Sequence, residues 1–337
     1  RDRSVQDSLC DLLRGAVQAL PVTKPHPITI SKNRSNGSHT AVALLSDLHV
    51  GEVVKLESMG GLGEYNIEIF RQRVGLWVEK ILYLVELRRS KLTIDNLQII
   101  ADGDFVSGII HDELLKTNEV NILEQSTTVG VIIAHAIAQL AAHFRKIAIS
   151  FTVGNHGRSI QKIEMKDTHV SWDYITYQLI AQLLKDYLNI TFDIPKSKWV
   201  ITKVENIDIL HFHGDGIRGW GGFPWYGVSR AVRSLRESLM IQDKSFDVVC
   251  MGHFHVPMEW ETPTGPWMVN GNWKGGDDFS LNALHTVVRP IQTLFFVHER
   301  YGIVSKELIY LDKQSPEHAL KLPEKISDVW ASQKILV

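Results

Sequence analysis

An α/β domain with mixed sheets is the fold class that the sequence predicts, on three observations. From Thr40 onward, short apolar runs alternate with long stretches of helical periodicity, the pattern of parallel strands joined by helices. After about Ile190 the apolar runs become closely spaced and are separated by turns, which calls for hairpins and antiparallel pairing. The chain has 337 residues, 44% of them hydrophobic. Single cores stop growing near roughly 250–300 residues, so one large domain with flanking segments accounts for this length.

The elements come in order. Val5, Leu9, Leu12, Leu13, Val17 and Leu20 have helical spacing, and Pro21, Pro25, Pro27 and Gly37 then mark a linker. Residues 1–39 thus form an appendage, either the edge of an upstream module or a helix packed on the main domain. The main domain spans 40–312. Residues 41–45 are continuously apolar and end in Ser46-Asp47, as a strand buried on both faces does. Phe70, Val74, Trp77, Ile81 and Leu84 form the stripe of a helix, and a strand comes next over 97–101. A second long helix is expected over 123–144, a strand over 147–153, and a helix bearing Ile175, Leu179, Leu183 and Leu184. Strands are then predicted over 199–204, 207–213, 246–251, 258–262 and 267–270, with two more near Thr293 and Val304. Residues 313–337 form a C-terminal tail.

Composition excludes a disordered, collagen-like or disulfide-scaffold chain. With 36 Lys+Arg against 38 Asp+Glu the net charge is −2, so there is no whole-chain attraction to nucleic acid or an acidic membrane, although a local basic patch remains compatible. The most apolar stretch, 129–144, is interrupted by His135, Gln139 and His143 and is shorter than the roughly 20 residues that span a bilayer; no membrane partner is expected. Cys250 sits in the run Val248-Val249-Cys250-Met251, far in sequence from Cys10. A buried free thiol and a reducing, cytoplasmic location are the expectation. Fifteen histidines are the count that asks for a chemical explanation.

That explanation lies at the ends of the apolar strands. The predicted strands run into Asp47-Leu48-His49, Asp102-Gly103-Asp104, Gly154-Asn155-His156, His211-Phe212-His213-Gly214-Asp215 and Gly252-His253-Phe254-His255. Ligands of open α/β sheets bind beyond the carboxyl ends of strands. A lone Asp-x-His triplet is ordinarily a turn; five strand ends presenting Asp, His and Asn are a constellation. Carboxylate, amide and imidazole donors without thiolate suit Mn²⁺, Fe²⁺ or Zn²⁺, Mn²⁺ foremost. There are too many ligands for one ion, whereas two ions sharing a carboxylate would clamp the oxygens of an in-line displacement at phosphorus and supply a hydroxide at neutral pH.

These five segments resemble the signature blocks of the calcineurin-like metallophosphoesterase superfamily, with the likeness running from Thr40 to Tyr310. The resemblance implies a four-layer α/β sandwich of two mixed sheets flanked by helices. It implies that Asp47, His49 and His255 hold one divalent ion, that Asn155, His213 and His253 hold the other, and that Asp104 bridges them. It also implies that His156 sits near the leaving group and donates a proton or a hydrogen bond. One departure stands out: the family's Asn-His pair is usually succeeded by an acid that orients the histidine, and here Gly157 and Arg158 take that place. Asp215 or Asp167 could take over that support, or the leaving group needs less acid help. Arg158 is either a surface residue or a bidentate ligand of a phosphate oxygen.

His211 shares a strand face with His213, and family position favours His213. His111 either lines the pocket or is a solvated loop residue. His135 and His143 pack or face solvent, and Asp277-Asp278 reads as a turn. The stretch 218–227, Arg-Gly-Trp-Gly-Gly-Phe-Pro-Trp-Tyr-Gly, interleaves glycines with rings on which a base could stack, or else packs as an aromatic loop. Arg230, Arg233 and Arg236 come next at the spacing of one helical face, with Arg88, Arg89 and Lys91 elsewhere. The expected function is a binuclear-metal phosphodiesterase or nuclease acting on DNA or nucleotide diesters, similar to the family's DNA-repair and phage-encoded branches. A phosphomonoesterase acting on a small phosphate or phosphoprotein is the alternative. The intact ligand set argues against a catalytically dead binding module.

Overall fold

The computed structural model describes residues 37–162, 166–217, 223–283 and 285–321. The helix expected over 1–20, nearly all of the linker, the tail beyond 321 and the first half of the aromatic loop lie outside the described residues.

Strand β1 (Ser38–Leu45) shows why its sequence is apolar without alternation. Ala41, Ala43 and Leu45 point into a core shared with helices, while Val42 and Leu44 point into a second core between two sheets. β1 pairs in parallel with β2 (Thr93–Asp102), β2 with β3 (Lys146–Thr152), and β3 with the short edge strand β4 (Ile190–Asp193). On its other side β1 pairs antiparallel with β10 (Ile291–His298), which pairs with β11 (Gly302–Tyr310). The first sheet is therefore ordered β11-β10-β1-β2-β3-β4. The second, ordered β5-β6-β7-β9-β8, contains β5 (Trp199–Val204), β6 (Ile207–Phe212), β7 (Val248–Met251), β8 (Met258–Thr262) and β9 (Gly265–Val269). Parallel pairs β6–β7 and β7–β9 are flanked by antiparallel pairs β5–β6 and β8–β9, so this sheet too is mixed.

Helices cover both outer faces. α1 (Ile67–Arg89) starts at Asn66, whose side chain accepts from the Ile69 amide, and buries the stripe Phe70, Val74, Trp77, Ile81 and Val85. After the short α2 (Leu114–Thr117), α3 (Ile122–Ala141) opens with a capping box between Asn121 and Glu124. α4 (Trp172–Leu183) is capped by Ser171. These helices pack on the first sheet. On the far side, α5 (Trp225–Met240) lays Val228, Val232 and Leu239 over Leu210, Phe212, Val249 and Met251 of the second sheet. The short α6 (Asp278–Asn282) comes after β9. Helix, sheet, sheet, helix makes the four-layer sandwich that the resemblance implies.

Most predicted elements lie within a few residues of those observed. β4 has no counterpart among the predicted strands, because a four-residue edge strand has too short a hydropathy pattern to register. The chain doubles back after β11 so that Leu320 is buried against α1, with Arg71 donating to its carbonyl. That approach explains Gly75 inside the helix: a Cβ there would lie 1.7 Å from the His318 carbonyl oxygen. Cys250 is a buried free thiol between the sheets. No helix among the described residues is long and apolar enough to cross a membrane.

Candidate metal centre

The carboxyl ends of β1, β2, β3, β6 and β7 meet at one edge of the sandwich. Backbone bonds lace the first two strand ends together: the Asp47 amide donates to the Gly103 carbonyl at 3.1 Å, His49 to Asp104 at 3.0 Å and Val50 to Phe105 at 3.0 Å. The second sheet is tied in through Asp47, whose carboxylate accepts from the His253 amide at 3.0 Å and from the Ser46 hydroxyl at 2.6 Å. The His213 carbonyl accepts in turn from the Gly252 amide at 3.0 Å.

These bonds hold an unusual backbone. Asp47 (φ 59°), His49 (48°), Asp104 (54°), His253 (68°) and His255 (62°) are all left-handed. Only nine non-glycine residues in the described chain are, and five of them are predicted ligands. Each such residue costs roughly 1–3 kcal/mol and persists where its surroundings over-determine it. The turn brings successive side chains back toward the same point, which an extended strand end would not do.

The side chains converge accordingly. His49 Nε2 lies 3.0 Å from His255 Nε2, and His255 Nε2 lies 3.4 Å from Asp47 Oδ1. His213 Nε2 lies 3.0 Å from Asp104 Oδ2 and 3.1 Å from Asn155 Oδ1. Three groups, Asp47–His49–His255, His49–Asp104–His156 and Asp104–His213–His253, each have one donor atom per residue within 4.8 Å of the others. They overlap through His49 and Asp104 and hold six of the seven predicted ligands; Asn155, the seventh, joins the array through His213.

The donor set fits divalent cations. His213 Nδ1 faces the Asp102 carbonyl at 2.7 Å, which can only accept, so the proton sits on Nδ1 and the neutral ring aims the Nε2 lone pair at two oxygens. That arrangement is repulsive unless a proton or a cation lies among the three. Burial lowers the His213 pKa, but the adjacent Asp104 carboxylate outweighs it and pushes it up to about 10. For His253, burial and the neighbouring His213 bring the value down to about 4. His49 is likewise held well below the ordinary histidine range by burial, and its Nδ1 is buried with no hydrogen-bond partner. The imidazoles of His253 and His49, kept neutral in this way beside carboxylates, are ready ligands.

One residue that the motifs did not reveal braces the array. Asp173, in the first turn of α4 and fully buried, accepts from the amides of Asp104 (3.0 Å), Phe105 (3.0 Å) and Gly154 (2.9 Å). It thereby fixes two strand-end loops together. Burial and the nearby Asp104 raise its pKa to about 6. A Cβ at Gly157 would lie 2.9 Å from the Asp173 carboxyl carbon and 2.5 Å from Ser171 Oγ, so Asp173 occupies the space that a side chain at 157 would need. From sequence, an acid at a helix start reads only as a favourable charge at the helix dipole.

The remaining candidates separate clearly. His156 Nδ1 donates to the Ser107 carbonyl at 2.7 Å, leaving Nε2 on the side of His49, whose ring centroid is 4.5 Å away. The carboxylate support expected from Asp215 or Asp167 is not found: Asp215 pairs with Lys198 at 2.6 Å, Asp167 is exposed, and the backbone carbonyl does the orienting. Arg158 is half-buried and makes no ion pair among the described residues. His111 is exposed, with its ring 5.6 Å from that of His156. His211 lies below the centre between the sheets, bonded to Asp102 (2.6 Å) and Ser150 (2.9 Å). Asp277-Asp278, expected to form a turn, instead opens a helix: Asp277 caps α6 and pairs with Lys274. Arg88 and Arg89 are engaged, with Glu307 and with the Ile94 and His143 carbonyls respectively.

No protein-family model and no curated protein matches the chain. Among solved structures it is similar to an archaeal phosphodiesterase, at 11% identity over 80% of this chain and 99% of that one, with a TM-score of 0.35. It is also similar to a hypothetical protein from Pyrococcus horikoshii (12% identity, 88% and 94% covered, TM-score 0.38) and to vacuolar protein sorting 29 from Cryptosporidium parvum (13%, 80% and 96%, 0.33). The described residues have the four-layer α/β architecture, with all five motif segments meeting at one sheet edge.

Proposed function

We propose that the chain is a metal-dependent phosphoester hydrolase that acts on phosphodiesters, DNA or nucleotide diesters among them. The observation that supports this best is the overlap of the three donor groups through His49 and Asp104, which suits a pair of ions sharing a carboxylate. In this reading Asp47, His49 and His255 hold one divalent ion, Asn155, His213 and His253 hold the second, and Asp104 serves both. Mn²⁺ is the ion we assign, on the mixed oxygen and imidazole donors. When bound, such ions supply charge compensation at the phosphoryl oxygens and a nucleophile at neutral pH.

The protein's own groups do the rest. His156, with Nδ1 held by the Ser107 carbonyl, presents Nε2 as the site from which a proton or hydrogen bond reaches the leaving oxygen. Arg158 has an uncommitted guanidinium that can fork onto a non-bridging oxygen. His111, beside His156, lines the approach. A backbone carbonyl rather than a carboxylate orients the His156 ring, an arrangement that suits a leaving group needing modest help.

A matched assay with Mn²⁺ tests the reading, comparing an aryl phosphate monoester, an aryl diester, and single- and double-stranded DNA. Diester turnover that disappears in Asp104→Asn is the expected outcome. Turnover of the monoester alone would make the chain a phosphomonoesterase instead, and an active Asp104→Asn protein would rule out the shared carboxylate.

A further inference from the structure

The second sheet carries a run of aromatic rings that starts at the metal centre. The rings of His253 and Phe254 are 5.1 Å apart, Phe254 and Phe223 4.7 Å, Phe223 and Trp225 4.5 Å, Trp225 and Trp260 4.9 Å, and Trp260 and Trp267 5.0 Å. All five contacts are edge-to-face, so the rings fix one another in orientation. Trp267 is buried and anchors the far end. Trp225 and Trp260 stand 45% and 37% exposed, and Tyr226, beside Trp225 in the first turn of α5, is 79% exposed. Core packing does not account for such large rings left open on a rigid support.

The charge beside them is of the complementary kind. The Arg230 guanidinium lies 6.0 Å from the centre of the Tyr226 ring, and both Arg230 and Arg233 are exposed and make no ion pair among the described residues. Arg236, the third of the series, is not part of this surface: it stacks on Phe246 at 3.9 Å and donates to the Phe246 carbonyl. Open rings next to uncommitted guanidinium groups, contiguous with a phosphoester site, match the two chemical faces of a nucleotide chain.

We propose that Trp225, Tyr226, Arg230 and Arg233 form a platform for single-stranded nucleic acid, on which unpaired bases stack while the flanking phosphates meet the guanidinium groups. This rests on the phosphodiesterase reading above. Bases within a duplex have no free face to offer, so the platform selects unpaired strands. It acts on binding of an extended substrate and not on the chemistry at phosphorus.

The test uses the Mn²⁺-loaded full chain, with a labelled phosphorothioate oligothymidine for affinity and bis(p-nitrophenyl) phosphate for turnover. Tyr226→Ala, at a residue too exposed to matter for folding, and Trp225→Ala each weaken oligothymidine binding by about tenfold or more, the size expected for one lost stack. Tyr226→Phe and Trp225→Phe restore it, and turnover of the small diester stays within about twofold throughout. The duplex of the same length binds more weakly than the single strand. Equal affinity of the alanine variants and the parent, or duplex binding as tight as single-strand binding, overturns the platform. A parent that hydrolyses the small diester without binding oligothymidine overturns the platform alone, whereas one that hydrolyses no diester overturns the phosphodiesterase reading itself.

Discussion

The two sheets contribute unlike halves to the candidate metal centre. From the first sheet come Asp47, His49 and Asp104, all fully buried and laced by backbone bonds, with Asn155 and His156 on the next loop. Two of these loops are further joined by the Asp173 carboxylate. From the second sheet come His213, buried, and His253 and His255, which are half-buried. Their loop hangs on the first half through the Asp47 carboxylate, and within the second half Asn272, after β9, donates to the His255 carbonyl at 3.1 Å. The difference separates two duties. Asp47 and Asp104 sit where their geometry is over-determined, and in the function proposed above substrate would meet the more open half, which continues into the aromatic run.

Substitutions in each half test this division of duties. In the first half, His156→Ala should lower kcat by about 10²–10⁴-fold, the range for removing a general acid, while metal content measured by elemental analysis stays unchanged. Loss of metal in that variant would move His156 from the reaction to the ligand set. Asp173→Asn leaves shape intact but sets an amide donor among three N–H groups. Metal affinity measured by calorimetry should fall by about 10–100-fold, as for other residues that support ligands without touching metal. The counterpart in the second half, Asn272→Ala, should cost less than Asp173→Asn in the same titration; an equal loss would mean that both halves are equally constrained.

A smaller effect concerns the clamp that joins the halves. Lys274, after β9, pairs with Glu52, after His49, at 2.9 Å and with Asp277. Burial would raise the Asp277 pKa, but Lys274 beside it prevails and brings it down to about 2. A carboxyl depressed from 3.8 to about 2 contributes about 2 kcal/mol of stability. That contribution is present in full above the unfolded value and is lost as pH falls through the folded one. Urea unfolding of Asp277→Asn should therefore show a deficit of about that size at neutral pH, narrowing toward the parent as pH approaches 2. A deficit that did not narrow would place the effect in the α6 cap instead of the ion pair.

The features legible in the sequence are local ones. Strand β1 announces itself because burial on both faces leaves residues 41–45 wholly apolar, and Asp47-Leu48-His49 comes after one intervening residue, so ligand-type residue and strand end are read together. The same holds for Asp104, for Asn155-His156 and for His253-Phe254-His255. His211 and His213 mark the limit: alternation puts both on one face, but only position along the folded strand shows that His211 stays between the sheets, held by Asp102, while His213 emerges past the end of β6.

The layered α/β class and the seven ligand-type residues are thus written along the chain, because apolar periodicity and strand-end motifs are properties of sequence neighbours. Their supports are not written there and arise with the folded arrangement. Asp173 meets Asp104 across 69 positions, the Ser107 carbonyl meets His156 across 49, and Trp225 meets Trp260 only where α5 lies against the edge of the second sheet. Hydrogen bonds to backbone amides and carbonyls leave no mark on residue type, and a ring shows neither its exposure nor its partner until the chain has folded around it.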